Sequence, residues 1–499
     1  MNQNNISATE LFQRVRELLT LPDLEPKTRN KMMHDTLILC CHEGVKDTKQ
    51  AFGNLFSQVD YLCKARGIKV ADKIAIQTMR RHSNSQEPLS GEDLKYDARA
   101  LTLFISAVFE ERIPHEVNVL IPHINRPFQK GLEINNRRIR CIVKNWDSDF
   151  IRVDIDQDAD EEEYLVRLKD EENHIDHTYL WDLLKEGMQL NLLDCQVKQP
   201  IITPRLIVVE PDYLVDISSI ATCFTAFGHH PLLYLLNLMK PRANTQATLL
   251  GNFAGAALDD IINSHGKYQV NETVKSNFRE KALEFCTCPW FDAKKFYTDA
   301  SLQAFNLQQV VDILFPRTAS QAKMSAFRGE SLYDRKKAIL EPSFVCEALG
   351  IQGRVDLMTT DCKLLVEQKS GRNMNIETHQ VDPAYHSYQL EPHYVQLLLY
   401  YGVLQHNFKL SNDRVNIRLL YSKYQPQDGL MVVAYYQKLF KEAIEYRNQL
   451  VAASFEIAKE GFEHTLNEFT PEVLNVAGTQ DFFYNKYLKP QIEAITNPL

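Results

Sequence analysis

The stretch GRVDLMTTDCKLLVEQKSG, residues 353–371, restricts the fold of this chain more than any other. Two apolar runs, GRVDLMT and KLLVEQKSG, carry glycine at their outer ends and are separated by TDC. Short β-favouring runs closed by turn residues predict the two strands of an antiparallel hairpin. If Asp361–Cys362 is the two-residue loop, Asp356 falls opposite Glu367, although this pair is not a favoured loop dipeptide. Side chains alternate along a strand, so Glu367 and Lys369 share a face. Two carboxylates and one ammonium then converge on one spot. Such a cluster is either a cross-strand ion-pair group on a solvated face or a site that uses the charges.

The run EPHYVQLLLYYGVLQ, residues 391–405, has helical periodicity. Pro392 suits a first turn, and Val395, Leu398, Leu399 and Val403 recur near the 3.6-residue period. Gln396 and Tyr400 are four apart and share a face of that helix. Alone, the pair reads as a helix flank.

In order, the chain presents Asp356, Glu367-x-Lys369 and Gln396-x-x-x-Tyr400. This order resembles the PD-(D/E)xK nuclease superfamily, in its RecB-like branch. The segments RLIVVEPDYLVDISSIATCF (205–224), GIQGRVDLM (350–358), LLVEQKSG (364–371), HYVQLLLY (393–400), LLYSKYQ (419–425) and YRNQLV (446–451) follow the same sequence. They look like the nuclease module of the replication nuclease–helicase family that trims DNA flaps, over roughly residues 205–455. The resemblance implies an α/β fold with a restriction-endonuclease-like mixed sheet flanked by helices. It implies a metal-dependent deoxyribonuclease acting on single-stranded DNA, flaps or ends, in replication, repair or defence. Asp356, Glu367 and Lys369 would be catalytic. Mg²⁺ or Mn²⁺ prefers carboxylate oxygen and would be held by Asp356, Glu367 and a backbone carbonyl near Gln368. Gln396, Tyr400 and His393 would hold the site or the strand beside it; His393 reads equally well as a solvated histidine at a helix end. A DNA-binding scaffold that has lost turnover is the alternative.

Two positions depart from the family pattern. RecB-like nucleases carry a metal-ligating histidine in an upstream G-x-x-x-H helix. Here GNFAGAALD places Gly255 at that position, four residues after Gly251. Asp259 lies one turn further on the same face, where it could supply or orient a ligand. The family also holds an iron–sulfur cluster on four cysteines. Cys223 lies near the first, but no cysteine follows Cys362, so no cluster is expected.

Between the hairpin and the helix runs SGRNMNIETHQVDPAYHSYQLEPHY, residues 370–394. A connection this long is generally functional or disordered. Arg372, Tyr385 and Tyr388 are candidates for gripping a nucleic-acid strand. His379, His386 and His393 recur every seven residues, but Pro383 and Pro392 interrupt any single helix that would gather them on one metal.

The remainder divides by pattern. Residues 1–125 read as a helical domain, with Ser7 and Glu10 forming a capping box before Leu11 and Val15. Residues 126–205 read as strands RRIRCIVKNW, DFIRVDI and EYLVRLK, a helix DHTYLWDLLKEG, and strands MQLNLLDCQV and RLIVV. That is the OB-like barrel order, used elsewhere on single strands, and Arg137, Arg138, Arg140, Lys144, Trp146, Phe150 and Arg152 supply cations and rings. Alternating Arg and Ile is also how any half-exposed strand reads. The acidic run DIDQDADEEE, 154–163, opens like a calcium loop, but Ala159 and Leu165 stand where that loop needs Gly and Glu, so a solvated hairpin tip is expected. The nuclease region spans 206–455, mostly helical up to 350. Residues 456–499 read as a helical extension, beyond which the resemblance places a helicase, in cis or as a separate partner. No G-x-x-x-x-G-K-[ST] occurs, so the chain is not itself the ATP motor.

The net charge of −9 gives no global basic field, although a local basic groove is compatible with it. Ten cysteines without a C-x-x-C, no signal peptide and no 18-residue apolar run lead to the expectation of a reduced, cytoplasmic protein away from the membrane.

Overall fold

A computed structural model describes residues 6–499 apart from 22–23, 49–51, 53–54, 86–87, 127–136, 156–162, 226–227, 240–243, 383–384, 386, 411–413, 462–463, 465–484, 486–488 and 497–499. The chain is mixed α/β and forms two compact units, Met1–Tyr213 and Leu214–Leu499. Among the described residues no helix is long and apolar enough to cross a membrane.

In the first unit, helices Ala8–Thr20, Pro26–Val45, Leu55–Ala65, Val70–Asn84 and Gly91–Phe109 bury Leu11, Val15, Leu37, Leu101 and Phe104 together. The expected capping box forms: Ser7 Oγ accepts from Glu10 N, and Glu10 accepts from Ser7 N. The strand-rich segment belongs to the same unit. Its hydrogen-bonded order is Gln196–Lys198, Ile201–Thr203, Tyr164–Arg167, Phe150–Ile155, Arg138–Trp146, Gln189–Leu193, Leu206–Val209. All neighbours are antiparallel except Tyr164–Arg167 beside Ile201–Thr203.

Two sequence expectations change here. DHTYLWDLLKEG is not a helix but a single 3₁₀ turn, Thr178–Leu180, followed by further turns. His177 N donates to Leu168 O and Gly187 N to Val143 O, so the segment is tied to the sheet at both ends and has no length for a helix. Its Leu180 and Leu184 are buried, and that gave it a helical rhythm. MQLNLLDCQV breaks at Asp194 (φ 50°), and the chain returns as the hairpin of Gln196–Lys198 and Ile201–Thr203. Most of the acidic run 154–163 lies outside the described residues.

The second unit is built on a five-stranded sheet, Ala338–Leu340, Leu357–Thr359, Leu364–Lys369, Asn416–Tyr421, Leu430–Val432. Only the third and fourth strands are parallel, and helix Glu391–Phe408 lies between them in sequence, as a parallel pair requires. Helices Gln246–Asn263 and Ala293–Leu314 share a core with Leu357, Leu364 and Val366. A second, three-stranded sheet joins Val215–Asp216, Ile351–Arg354 and Ser343–Cys346. GRVDLMT is therefore not one strand. It bends at Val355–Asp356 and hands its two halves to different sheets.

Candidate active site

The hairpin has the expected register. Leu357 pairs with Val366 and Met358 with Leu365, so one step further Asp356 faces Glu367. At that step a side chain replaces the ladder: Asp356 Oδ2 accepts from Gln368 N at 2.6 Å. This bond pins the bend, and Glu341 N completes it by donating to Asp356 O at 3.0 Å.

Strand alternation then sorts Leu364–Lys369. Leu364 and Val366 enter the helix-covered core, and Gln368 follows them, its Nε2 donating to Ser422 Oγ at 2.7 Å. Glu367 and Lys369 project from the opposite face. Lys369 Nζ donates to Glu367 Oε1 at 2.8 Å and to Gln396 Oε1 at 2.6 Å, so helix Glu391–Phe408 brings Gln396 onto the cluster. Glu367 is 6% exposed, which removes the reading of a solvated surface ion pair. Its other oxygen, Oε2, is buried with no hydrogen-bond partner.

Burial drives the electrostatics. It pushes Glu367 above the usual carboxylate range, reinforced by the charge of Asp356 and opposed by Lys369. Asp356 is also raised by burial, against the Gln368 N–H and Lys369. Asp259, on helix Gln246–Asn263, rises to about 6 through burial and the charges of Glu341 and Asp356, which places it in the same acidic field. Among the described residues, however, no three His, Cys, Asp or Glu side chains stand close enough to hold one metal ion together.

Tyr400 has its pKa pushed up by burial and by the charges of Glu367 and Asp356, but its hydroxyl is turned to the backbone rather than to either carboxylate. Its hydroxyl donates to Arg354 O at 2.6 Å, two residues before Asp356, and a Cβ on Gly353 would come within 3.0 Å of that hydroxyl. Tyr400 thus braces the backbone leading into the bend. His393 Nδ1 lies 3.0 Å from Tyr421 Oη, and the residue is half-buried rather than free at the helix end. Burial and the Lys369 charge lower its pKa to about 3, so it is neutral at neutral pH. Arg372 is not brought to the carboxylates: its guanidinium pairs with Glu377, which Lys423 and the Tyr424 hydroxyl also contact. The connecting segment is not structureless either, since Asn373 caps the helix Met374–Thr378. Tyr385 packs edge-on against Tyr394 and Tyr436, and the Tyr388 carbonyl accepts from Asn373 Nδ2. His386 lies outside the described residues.

Two features were not anticipated from the sequence. Glu341, held at φ 49° and paired with Arg354 at 3.0 Å, adds a carboxylate beside Asp356. Behind the strand, Gln303 and Asn306 of helix Ala293–Leu314 form a buried amide network. Gln303 donates to Ser370 O and accepts from Ser422 Oγ, while Asn306 donates to Ser422 O. Polar residues at 303 and 306 in an otherwise apolar helical stripe were the available signal.

The donor chemistry fits a hard divalent cation. Such an ion takes one or two carboxylates and keeps several waters, so a protein triad is not required. The buried, unpartnered Glu367 Oε2 beside Asp356 is an oxygen lacking a positive partner. In the first unit the expected cations are already engaged: Arg140 with Asp212 at 2.9 Å, Lys144 with Asp154 at 2.8 Å, and Arg152 with Asn145 at 2.8 Å. The Arg167 guanidinium lies over the Phe150 ring. No protein-family model matches the sequence, and no curated protein matches it.

Proposed function

We propose that the second unit is a divalent-metal-dependent nuclease of the PD-(D/E)xK, RecB-like type, with a restriction-endonuclease-like core, cutting phosphodiester bonds of single-stranded DNA, flaps or ends. One observation carries the reading: Asp356, Glu367, Lys369 and Gln396 meet on one buried face with a carboxylate oxygen left unpartnered. Asp356, Glu367 and the Gln368 backbone would hold Mg²⁺ or Mn²⁺, with Asp259 and Glu341 extending the acidic field. Bound there, the ion supplies Lewis-acid polarisation of the phosphate and a more acidic water. Lys369 is the protein's own cation at the site, placed to stabilise charge developing on a phosphate oxygen. Gln396 fixes its ammonium, and Tyr400 fixes the bend that carries Asp356.

The first unit, with its OB-like order, would serve as an accessory module; a helicase in cis or in trans follows from the same resemblance, and a cytoplasmic setting from the ten cysteines without a C-x-x-C. A second reading, a DNA-binding scaffold with weakened turnover, draws on Gly255, which leaves open space in place of the family's histidine. Cleavage of end-labelled single-stranded and duplex DNA with Mg²⁺ or Mn²⁺, comparing wild type with Lys369→Ala, separates the two. Metal-dependent cutting lost in the variant supports the nuclease. DNA binding without cutting in either metal supports the scaffold.

A further inference from the structure

Away from the carboxylates, the second unit carries a tryptophan left open to solvent among the described residues. Trp290 is 98% exposed, although tryptophan is on average among the most buried residue types. Its side chain makes no ring contact, hydrogen bond or ion pair among the described residues. The exposure is not that of a loose loop. Phe291, next in the chain, packs into an aromatic cluster, 5.3 Å from Phe285 and 5.5 Å from Phe296 between ring centroids. Asp292 N donates to Gln246 Oε1 at 2.9 Å, and Asp292 Oδ1 caps helix Ala293–Leu314 at Lys295 N. An anchored loop therefore holds the indole in solvent.

The backbone at Trp290 has φ 57°, a left-handed conformation where glycine is favoured over a bulky residue. The chain keeps an indole where both burial and backbone preference argue against one. Lys294 and Lys295 follow at once on the first helical turn, both exposed and neither ion-paired among the described residues. Cations there oppose the helix dipole, so they too lack a structural reason. An open aromatic face beside two free ammonium groups is the combination that binds single-stranded nucleic acid: the base stacks and the phosphates pair.

The helix that Trp290 precedes reaches the strand that carries the proposed site, from the face opposite Glu367 and Lys369. Gln303, further along the same helix, donates to Ser370 O directly after Lys369. At about 1.5 Å per residue, Trp290 lies on the order of 20 Å from that strand end. A stacked strand rising about 3.4 Å per nucleotide covers this in roughly six nucleotides. Helix Gln246–Asn263 offers a second link. Its Gln246 accepts from Asp292, its Gly251 sits against Ser370 Oγ, and a Cβ on its Gly255 would meet nothing within 4 Å.

We propose that Trp290, Lys294 and Lys295 form a base-stacking and phosphate-binding site for a single strand of nucleic acid extending from the carboxylate site. The choice of substrate strand rests on the nuclease reading; the binding site does not. The probe is intrinsic fluorescence of Trp290 in a Trp146→Phe, Trp181→Phe background, which leaves it the only indole of three. It is titrated with oligothymidylate in EDTA, with anisotropy of a labelled strand followed in parallel. Saturable quenching is expected. Trp290→Gly should weaken binding about 5- to 100-fold without lowering the unfolding midpoint. Reversing both lysines to Glu should reduce the log–log salt slope by about 1.4, for two phosphates lost. Cleavage of strands shorter than about six nucleotides should be indifferent to Trp290→Gly, while longer ones slow.

Anisotropy showing a bound strand with no quenching, or binding unchanged in Trp290→Gly, overturns the proposal. A concentration-dependent spectral shift without DNA assigns the patch to a protein contact and also overturns it. Quenching that persists in a protein that cuts no substrate sinks the nuclease reading and leaves this site standing.

Discussion

Glu367→Gln distinguishes a structural ion pair from a charge cluster kept for a cation. Glu367 Oε1 holds Lys369 Nζ at 2.8 Å, while Oε2 is buried and unpartnered beside a second carboxylate. Removing one partner of a structural buried pair costs about 3–5 kcal/mol, because the other charge is stranded. Glutamine keeps the size and one accepting oxygen for Lys369, and it removes an anionic oxygen whose unsatisfied burial costs about 1–3 kcal/mol or more. Metal-free Glu367→Gln is therefore expected to equal wild type or exceed it by up to about 2 kcal/mol, a midpoint rise of a few degrees. The sign of the pH dependence agrees. The folded Glu367 pKa is raised, chiefly by burial, so the native state binds the extra proton. Wild-type stability then falls as pH climbs from the ordinary carboxylate range through the raised value, and the variant lacks this fall. Metal reverses the order: at a hundredfold excess over Kd, an ion bound only by the native state adds about 2.7 kcal/mol to wild type and nothing to the variant. Thermal unfolding in EDTA and in graded Mn²⁺, read by two probes, measures both effects. A loss of 3 kcal/mol or more in EDTA, with a wild type indifferent to metal, would refute the reasoning.

Three further perturbations test the surroundings. Burial opposes the His229 charge, but Glu391 and Glu442, each 2.6 Å from a ring nitrogen, outweigh it and raise the pKa to about 9. Its contribution is fully present below about 6.5 and lost as pH rises through about 9, so His229→Gln should cost roughly 1–2 kcal/mol at pH 6, after allowing for partial exposure, and little at pH 10; equal losses at both pH values in denaturant titrations would show that the charge is not the cause. Gly255→Ala should stabilise by about 0.5–1 kcal/mol, since a Cβ there meets nothing within 4 Å, and Gly255→His should narrow any preference for Mn²⁺ over Mg²⁺ in cleavage rate; a destabilised alanine variant contradicts the open space. Gln303→Leu strips Ser370 O and Ser422 Oγ of a partner and should cost about 1–3 kcal/mol and lower kcat more than KM, with Gln303→Glu recovering little; a stable variant of unchanged kcat would make the network mere filling.

The hairpin was legible because its register is local: the loop at Asp361–Cys362 and the period of two place Asp356 against Glu367 and set Lys369 beside it. Helical spacing put Gln396 and Tyr400 on one face and only the resemblance gave them a role; their partners were not legible, because Lys369 and the Arg354 carbonyl are reached only through tertiary packing. The bend at Asp356 was missed for the same reason, since it depends on a bond to Gln368 N twelve residues away. Glu341 carries no local mark at all; it arrives because Ala338–Leu340 pairs with Leu357–Thr359. The pairing of Arg372 with Glu377 was not legible, because composition does not show which exposed cation a nearby carboxylate holds. The 3₁₀ turn at Thr178–Leu180 shows the converse, an apolar rhythm overruled by two backbone anchors.

The central claim is that Asp356 and Glu367 hold a divalent ion that cuts DNA with the help of Lys369. The most direct measurement is the single-turnover cleavage rate of a 5′-labelled single strand as a function of Mn²⁺ concentration, for wild type and Asp356→Asn. The account predicts a saturable, metal-dependent rate in wild type that falls at least a hundredfold in the variant, whose fold is intact by thermal unfolding. A wild type that leaves the strand uncut at every Mn²⁺ concentration, or an Asp356→Asn protein that cuts equally well, would contradict it.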